Sequence, residues 1–518
     1  MASKSQEGEK PLGLFGATVQ GLAYMAPGLS LLATFVLVYR AGFTYNATPL
    51  AYLIAGVAII LTAIGFAELV KAFPTRGSVW DYVSGTTGNP RLGQFSVWIY
   101  ILGVLVAPAA AFIPVGFYFS DWLGFPSWIT VLVGIIAVVA IVGVGIKLSM
   151  RLMAILLALE LGILLVFAFG SIQWSVNNAS FAHLSTLALS AEGSISGWAG
   201  VMAGATIAIY CFLGFESPAT LVEEVKVGKK TVPRAIILAA VTGTVLYTFL
   251  AWAYTLGTTS VGPLTLYYGI VNPLPIIGRG VLGGPWSGIL NFTGIVAGIT
   301  CGIAATTAAS RLLSKLGSDK VFPSQFNIHS PRFGTPIIAV LFVSTLALIL
   351  AEFVPWEIIA YLLPAGALPS FIIVNFTSFW HYRKDGLTPK NIVLHGIVPW
   401  LGIGLCSWFI IMGLPAHMQM LLLLWMTLGA IVVFATWTLE KPRVTRKPQV
   451  GLGISIVALV SVFASWLLWY PNYSGGALWW HHFFPYASVG IVAQGTVVLV
   501  GLIFIAALIY LALRHRRV

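Results

Sequence analysis

The 518-residue chain is 58% hydrophobic and only 8% charged, with a mean hydropathy of +0.95 and a formal net charge of +12. Soluble domains carry about 25% charged residues, so this composition cannot cover a water-facing surface and excludes a soluble enzyme. The positive charge is dispersed in short groups between apolar runs, not gathered into a phosphate-binding patch, and no nucleic-acid partner is expected.

A membrane-spanning helix needs about 20 predominantly apolar residues to cross a hydrocarbon core of roughly 30 Å. On that criterion, segments 1 to 7 fall at 14–39, 48–70, 93–120, 126–146, 150–170, 198–222 and 233–257. Segments 8 to 14 fall at 286–314, 335–354, 356–380, 394–414, 418–438, 450–470 and 488–512. The predicted fold class is an all-α polytopic membrane protein of about 14 transmembrane helices. Only Pro355 and its neighbours divide segments 9 and 10.

Charge bias supplies the orientation, because short cytoplasmic loops retain Lys and Arg. With the N-terminus inside, 25 of the 27 bases fall on the cytoplasmic face, and only Arg40 and Arg279 fall outside. The expected location is the cell membrane, with residues 1–13 and 513–518 as cytoplasmic tails and membrane lipid as the surrounding partner. The basic stretch Lys441 to Lys447 and the terminal Arg514-His515-Arg516-Arg517 fit topology anchors. The eight histidines and three cysteines show no metal-ligand grouping, so neither metal nor other cofactor is expected.

Two segments are interrupted. Segment 1 contains Gln20, Gly21 and then Ala26-Pro27-Gly28, and segment 6 contains Phe212-Leu213-Gly214-Phe215-Glu216-Ser217-Pro218. A helix broken within the membrane frees backbone groups toward a cavity, an arrangement used by transporters. Two acidic residues lie well inside predicted spans: Glu160 in segment 5 and Glu216 in segment 6. A membrane carboxylate costs about 2.5–3.5 kcal/mol on insertion scales, which makes both functional candidates. No G-x-x-x-x-G-K-S/T motif occurs, which argues against an ATP-driven pump.

Three stretches carry a family resemblance: Ala67-Glu68-Leu69 with Phe73-Pro74-Thr75-Arg76-Gly77-Ser78 and Tyr82-Val83; Gly214-Phe215-Glu216 with Glu223-Glu224 and Val232-Pro233-Arg234-Ala235-Ile236; and Arg311 with Val321-Phe322-Pro323-Ser324, Phe326 and Thr335-Pro336. On these, the chain resembles the amino acid permeases of the amino acid, polyamine and organocation (APC) superfamily. The resemblance implies a transport core over 14–380 built from two inverted five-helix repeats, at about 14–170 and 198–380, with 394–512 as four accessory helices. It also implies secondary active transport of amino acids by alternating access rather than enzyme catalysis. Substrate carboxylate would meet backbone around Gln20, Gly21 and Leu22, while its ammonium would meet carbonyls around Phe212 and Gly214. Phe215 would gate the site, and Glu216 would brace the broken helix or contact a cationic substrate. Glu160 aligns with a family position where several members carry a lysine in place of a sodium ion, and is the candidate proton-coupling group. Thr306 and Thr307 mark an alternative sodium site. A polyamine or organic-cation transporter, an exchanger, and a non-transporting nutrient sensor are the competing functions.

Overall fold

The computed structural model describes residues 12–40, 44–178, 180–258, 260, 273–386 and 388–440. Segments 13 and 14, the basic stretch Lys441 to Lys447 and the C-terminal tail lie outside the described residues. The described chain is all-helical apart from one isolated bridge between Leu12 and Val225. It contains nine helices long and apolar enough to cross a membrane, and is a multi-pass membrane protein.

Segment 1 is not one helix. It forms α1 (Leu14–Met25), α2 (Pro27–Leu32) and α3 (Phe35–Arg40). Pro27 has no N–H to donate and its ring opposes a continuous ladder, and Ala26 takes a left-handed conformation at φ 49°, ψ 72°. Next come α4 (Thr48–Ala72), the short α5 (Val79–Thr87), α6 (Pro90–Leu123), α7 (Ser127–Gly143), α8 (Ile146–Asn177) and α9 (Phe181–Leu187). Asn89 opens α6 by accepting the Arg91 N–H, with Pro90 at the first helical position, where its missing donor costs nothing.

Segment 6 is also divided. α10 (Gly197–Phe212) stops at an extended Leu213, and a 3₁₀ turn follows at Ser217–Leu221. α11 (Gly228–Thr258), α12 (Leu274–Leu282), α13 (Pro285–Ser318), α14 (Ile337–Phe353) and α15 (Trp356–Tyr382) come next. Pro355, extended at ψ 145°, separates α14 from α15. α16 (Pro389–Asn391) leads through a π-helical turn, Ile392–Ile397, into α17 (Val398–Trp408), and a second π-helical turn, Phe409–Gly413, precedes α18 (Ala416–Glu440).

The principal seams run between α4 and α11, and between α6 and both α13 and α15. Trp98 on α6 stacks on Trp425 of α18 at 4.7 Å, and each indole N–H donates to the other's carbonyl oxygen, at 3.0 and 2.8 Å. That reciprocal pair satisfies both indole donors while it docks α18 on the central helices.

Candidate functional site

The two breaks face one another across a cavity of about 20 Å³. The first break contributes Tyr24, Met25, Ala26 and Ser30; the second contributes Tyr210 and Leu213. Ala107, Ala110 and Ala111 of α6 form a wall of small side chains, and Cys301 of α13 and Leu363 of α15 complete it. Among the described residues no lysine or arginine lines the cavity, and the lining residues with polar side-chain atoms are Tyr24, Ser30, Tyr210 and Cys301.

Helix ends leave carbonyls and N–H groups without ladder partners, and the two breaks satisfy them differently. At the first, the Met25 carbonyl accepts from Ser30 Oγ at 2.7 Å and from the Tyr247 hydroxyl at 2.9 Å. The Tyr24 carbonyl receives the Cys301 thiol at 3.4 Å, and the Ser30 carbonyl receives the Tyr52 hydroxyl at 3.1 Å. At the second, the chain turns through Gly214 at φ 111°, where a Cβ would lie 2.5 Å from the Tyr24 ring. Only glycine fits that backbone at that approach. Glu216 then closes the turn: Oε2 accepts the Gly214 N–H at 3.1 Å, and Oε1 accepts the Tyr100 hydroxyl at 3.2 Å.

Glu160 is arranged in the opposite way. It is fully buried on α8, and neither carboxyl oxygen has a hydrogen-bond partner among the described residues. Its Oε2 lies beside Gly28: a Cβ there would be 3.1 Å from that oxygen and 2.3 Å from the Ala297 side chain on α13. The carboxyl is thus wedged where the start of α2 meets α13.

Gln20, Gly21 and Leu22 lie inside α1, ahead of the break, so their N–H groups belong to the helical ladder. The N–H groups left at the start of the next helix are those of Gly28 and Leu29, because Pro27 interrupts the ladder, whereas Ala26 is bonded to Leu22 and Ser30. Gln20 is fully buried and donates its side-chain amide to the Ala304 carbonyl of α13 at 3.1 Å, and its own carbonyl accepts from Ser217 at 3.4 Å. Phe212 packs edge-on to Tyr247 with ring centroids 5.0 Å apart. Phe215 sits among Phe66 and Phe371, at 5.7 and 5.5 Å. None of Gln20, Gly21, Leu22, Phe212, Gly214, Phe215 and Glu216 lines the cavity itself; their chain neighbours do. Thr306 and Thr307 are buried on α13, and their hydroxyls have no hydrogen-bond partner among the described residues. The residues that sequence reasoning missed are Tyr24, Tyr100, Tyr210 and Cys301, whose only signal was a polar atom within an apolar run. No cluster of three or more metal-ligating side chains occurs among the described residues.

The comparisons with known proteins point one way on family and several ways on cargo. The family model described as "Amino acid permease" matches residues 16–472. Escherichia coli K12 low-affinity putrescine importer PlaP is 29% identical over 439 residues, covering 82% of this chain and 92% of the importer. Two Bacillus subtilis proteins are also similar. The branched-chain amino acid permease BcaP is 23% identical, covering 82% of this chain and 92% of BcaP; the methylthioribose transporter is 25% identical, covering 83% and 94%. A family match of this extent assigns the protein to solute transport across a membrane, not to catalysis: the chain belongs to the amino acid permease family, among the APC-type permeases.

Proposed function

We propose that the protein is a secondary active transporter of amino acids in the cell membrane, working by alternating access and coupled to protons through Glu160. The observation that carries the coupling is the bare carboxyl of Glu160 against the first helix break. An ionised carboxylate buried without a partner costs several kcal/mol. The site therefore favours a proton or a cation as companion to Glu160, and exchange of that companion with either aqueous side would couple its gradient to the cycle.

The substrate would occupy the cavity between the breaks, its carboxylate toward backbone N–H groups of Gly28 and Leu29 and its ammonium toward carbonyls after Tyr210. Gln20, Gly21 and Leu22 would hold α1 against α13 and α11 rather than touch substrate. Phe212, Gly214 and Glu216 would shape the second break, with Phe215 as the aromatic gate. A cavity of about 20 Å³ has room for about one water molecule, so loading requires the lining to part, which supports alternating access. The inverted five-helix repeats expected over 14–170 and 198–380 would set the two breaks opposite one another. The basic ends of the helices would be cytoplasmic.

A second reading takes a polyamine or other organic cation as substrate. It is favoured by a cavity lining without basic side chains among the described residues, by the buried carboxyls of Glu160 and Glu216 beside the two breaks, and by the name of the putrescine importer. Uptake into proteoliposomes under an imposed pH gradient, with competition by neutral amino acids, arginine and putrescine, separates the two. Retention of full pH-driven accumulation by Glu160→Gln would remove Glu160 from the coupling. Dependence on sodium with no response to pH would move the coupling to Thr306 and Thr307.

A further inference from the structure

At the basic end of the helices, four distant stretches of chain are tied together. Arg76 follows α4, Glu223 and Glu224 follow the 3₁₀ turn after the second break, and Arg311 lies on α13. Arg311 reaches Glu224 with Nε at 2.8 Å from Oε1 and Nη2 at 3.4 Å from Oε2, a two-point pairing. Arg76 approaches Glu223 at 2.9 Å and Glu224 at 3.6 Å. The fourth stretch is the N-terminal Leu12, whose N–H donates to the Glu224 carbonyl at 3.3 Å and whose carbonyl accepts from Lys226 at 2.8 Å.

The members of this network are not equivalent. The Glu223 side chain is 46% exposed, whereas those of Glu224 and Arg311 are 15% and 7% exposed. Exposed pairs contribute about 0–1 kcal/mol, but removing one member of a buried pair leaves the other charge uncompensated. Glu224 is thus the carboxylate on which both arginines converge. It is also joined to the substrate region by a short run of chain: Gly214, the 3₁₀ turn Ser217–Leu221, then Glu224. Phe66, Phe215 and Phe371 pack edge to face in this region, all fully buried.

We propose that Glu224 is a positioning residue of the transport cycle: its carboxylate clamps Arg311 and Arg76 so that the basic end of the pathway stays shut, and it must release an arginine before the cavity opens there. The inference rests on the alternating-access reading above. The clamp stores its closing energy in a charge pair, so neutralising Glu224 shifts the resting population toward opening at the basic end without touching the cavity wall.

Cys301 provides the readout, because it lines the cavity and is buried. A membrane-impermeant thiol reagent is applied to right-side-out and to inverted vesicles, and modification is assigned to Cys211, Cys301 or Cys406 by peptide mass spectrometry. In Glu224→Gln, labelling of Cys301 from one face is expected to rise about tenfold, the change produced by about 1.4 kcal/mol of lost closing energy. Glu224→Asp, which keeps the charge, should stay near wild type, and Glu223→Gln should change labelling little. The proposal is overturned if Glu224→Gln remains monodisperse with Cys301 labelling unchanged, or if all three cysteines become equally reactive, which marks general loosening. Labelling is read without substrate, so it tests the clamp separately from transport. Counterflow by the wild-type protein tests the transport reading alone.

Discussion

Glu160 and Glu216 are both buried carboxyls beside the same pair of helix breaks, yet their surroundings differ in kind. Glu216 has an acceptor's full employment: one oxygen takes the Gly214 N–H and the other takes the Tyr100 hydroxyl. Glu160 takes nothing from the described residues, and its Oε2 lies beside Gly28. The partnered carboxyl is built into the backbone turn and changes little without cost. The bare one has no hydrogen bond to a described residue that fixes its charge state, as the proposed coupling role requires. Burial alone would have ranked the two as equals; hydrogen-bond accounting separates a braced carboxyl from an unpartnered one.

The largest effect should come from removing the partnered carboxyl. Glu216→Ala leaves the Gly214 N–H and the Tyr100 hydroxyl buried without an acceptor, at about 1–3 kcal/mol for each group. Transport should fall about 100-fold or more under every gradient, with a clear drop in melting temperature in detergent, as each 1.36 kcal/mol is a factor of ten. Normal uptake by this variant would break the comparison at its stronger end. Glu160→Gln should separate from it sharply. Accumulation driven by a pH gradient should fall to the level of counterflow, while counterflow itself and thermal stability stay near wild type. A loss of stability as large as that of Glu216→Ala would show Glu160 to be a structural group after all.

Tyr100→Phe is gentler, since it deletes one hydroxyl and leaves Glu216 bound to Gly214. Loss of one hydrogen bond to a charged group is worth about 1.5–3 kcal/mol, and to a neutral one about 0.5–1.5. Uptake should therefore drop roughly threefold to a hundredfold, and the size of the drop reports how much of the brace is the tyrosine. An unchanged rate would assign the bracing to the Gly214 contact alone.

Much of this arrangement was legible in the chain, for identifiable reasons. Apolar run length depends on the bilayer and not on neighbours, so segments such as 48–70 and 356–380 coincide closely with α4 and α15. Pro355 and Pro27 act through their own covalent structure, and the chain parts at both. The resemblance sets the substrate contact at Gln20, Gly21 and Leu22, whereas the helix parts at Ala26 and Pro27, one to two turns further on. Gln20 instead finds its partner at Ala304, 284 residues away, and no local pattern reveals such a contact. Glu160 and Glu216 were equally visible as charges in apolar runs, but their difference lies in what surrounds them in three dimensions. Tyr24 and Tyr210 line the cavity while other tyrosines face helices, and alternation along one helix does not distinguish the two. The π-helical turns beside α17 carry no residue signal of their own.

The smallest predicted effect concerns a carboxyl outside the membrane spans, and it extends the comparison to a group nearer water. Asp81, on α5, accepts the Gly77 N–H at 2.9 Å and the Thr75 hydroxyl, so it is partnered as Glu216 is. Burial nevertheless pushes its carboxyl above the ordinary value of 3.8, outweighing the opposing pull of those hydrogen bonds. With the folded-state value raised, the folded chain holds more protons than the unfolded chain between the two values, and stability falls as pH rises through that window. At neutral pH the ionised Asp81 is a mild liability, offset below the window where both states are protonated. Asp81→Asn keeps an oxygen for Gly77 and removes the titration. Its melting temperature should lie slightly above wild type at neutral pH and converge with it in acid, with pH-driven uptake unchanged. If the difference instead grows toward acid, the hydrogen bonds to Thr75 and Gly77 outweigh burial. Partnered carboxyls would then be stabilising as anions at the membrane edge as well as beside Gly214.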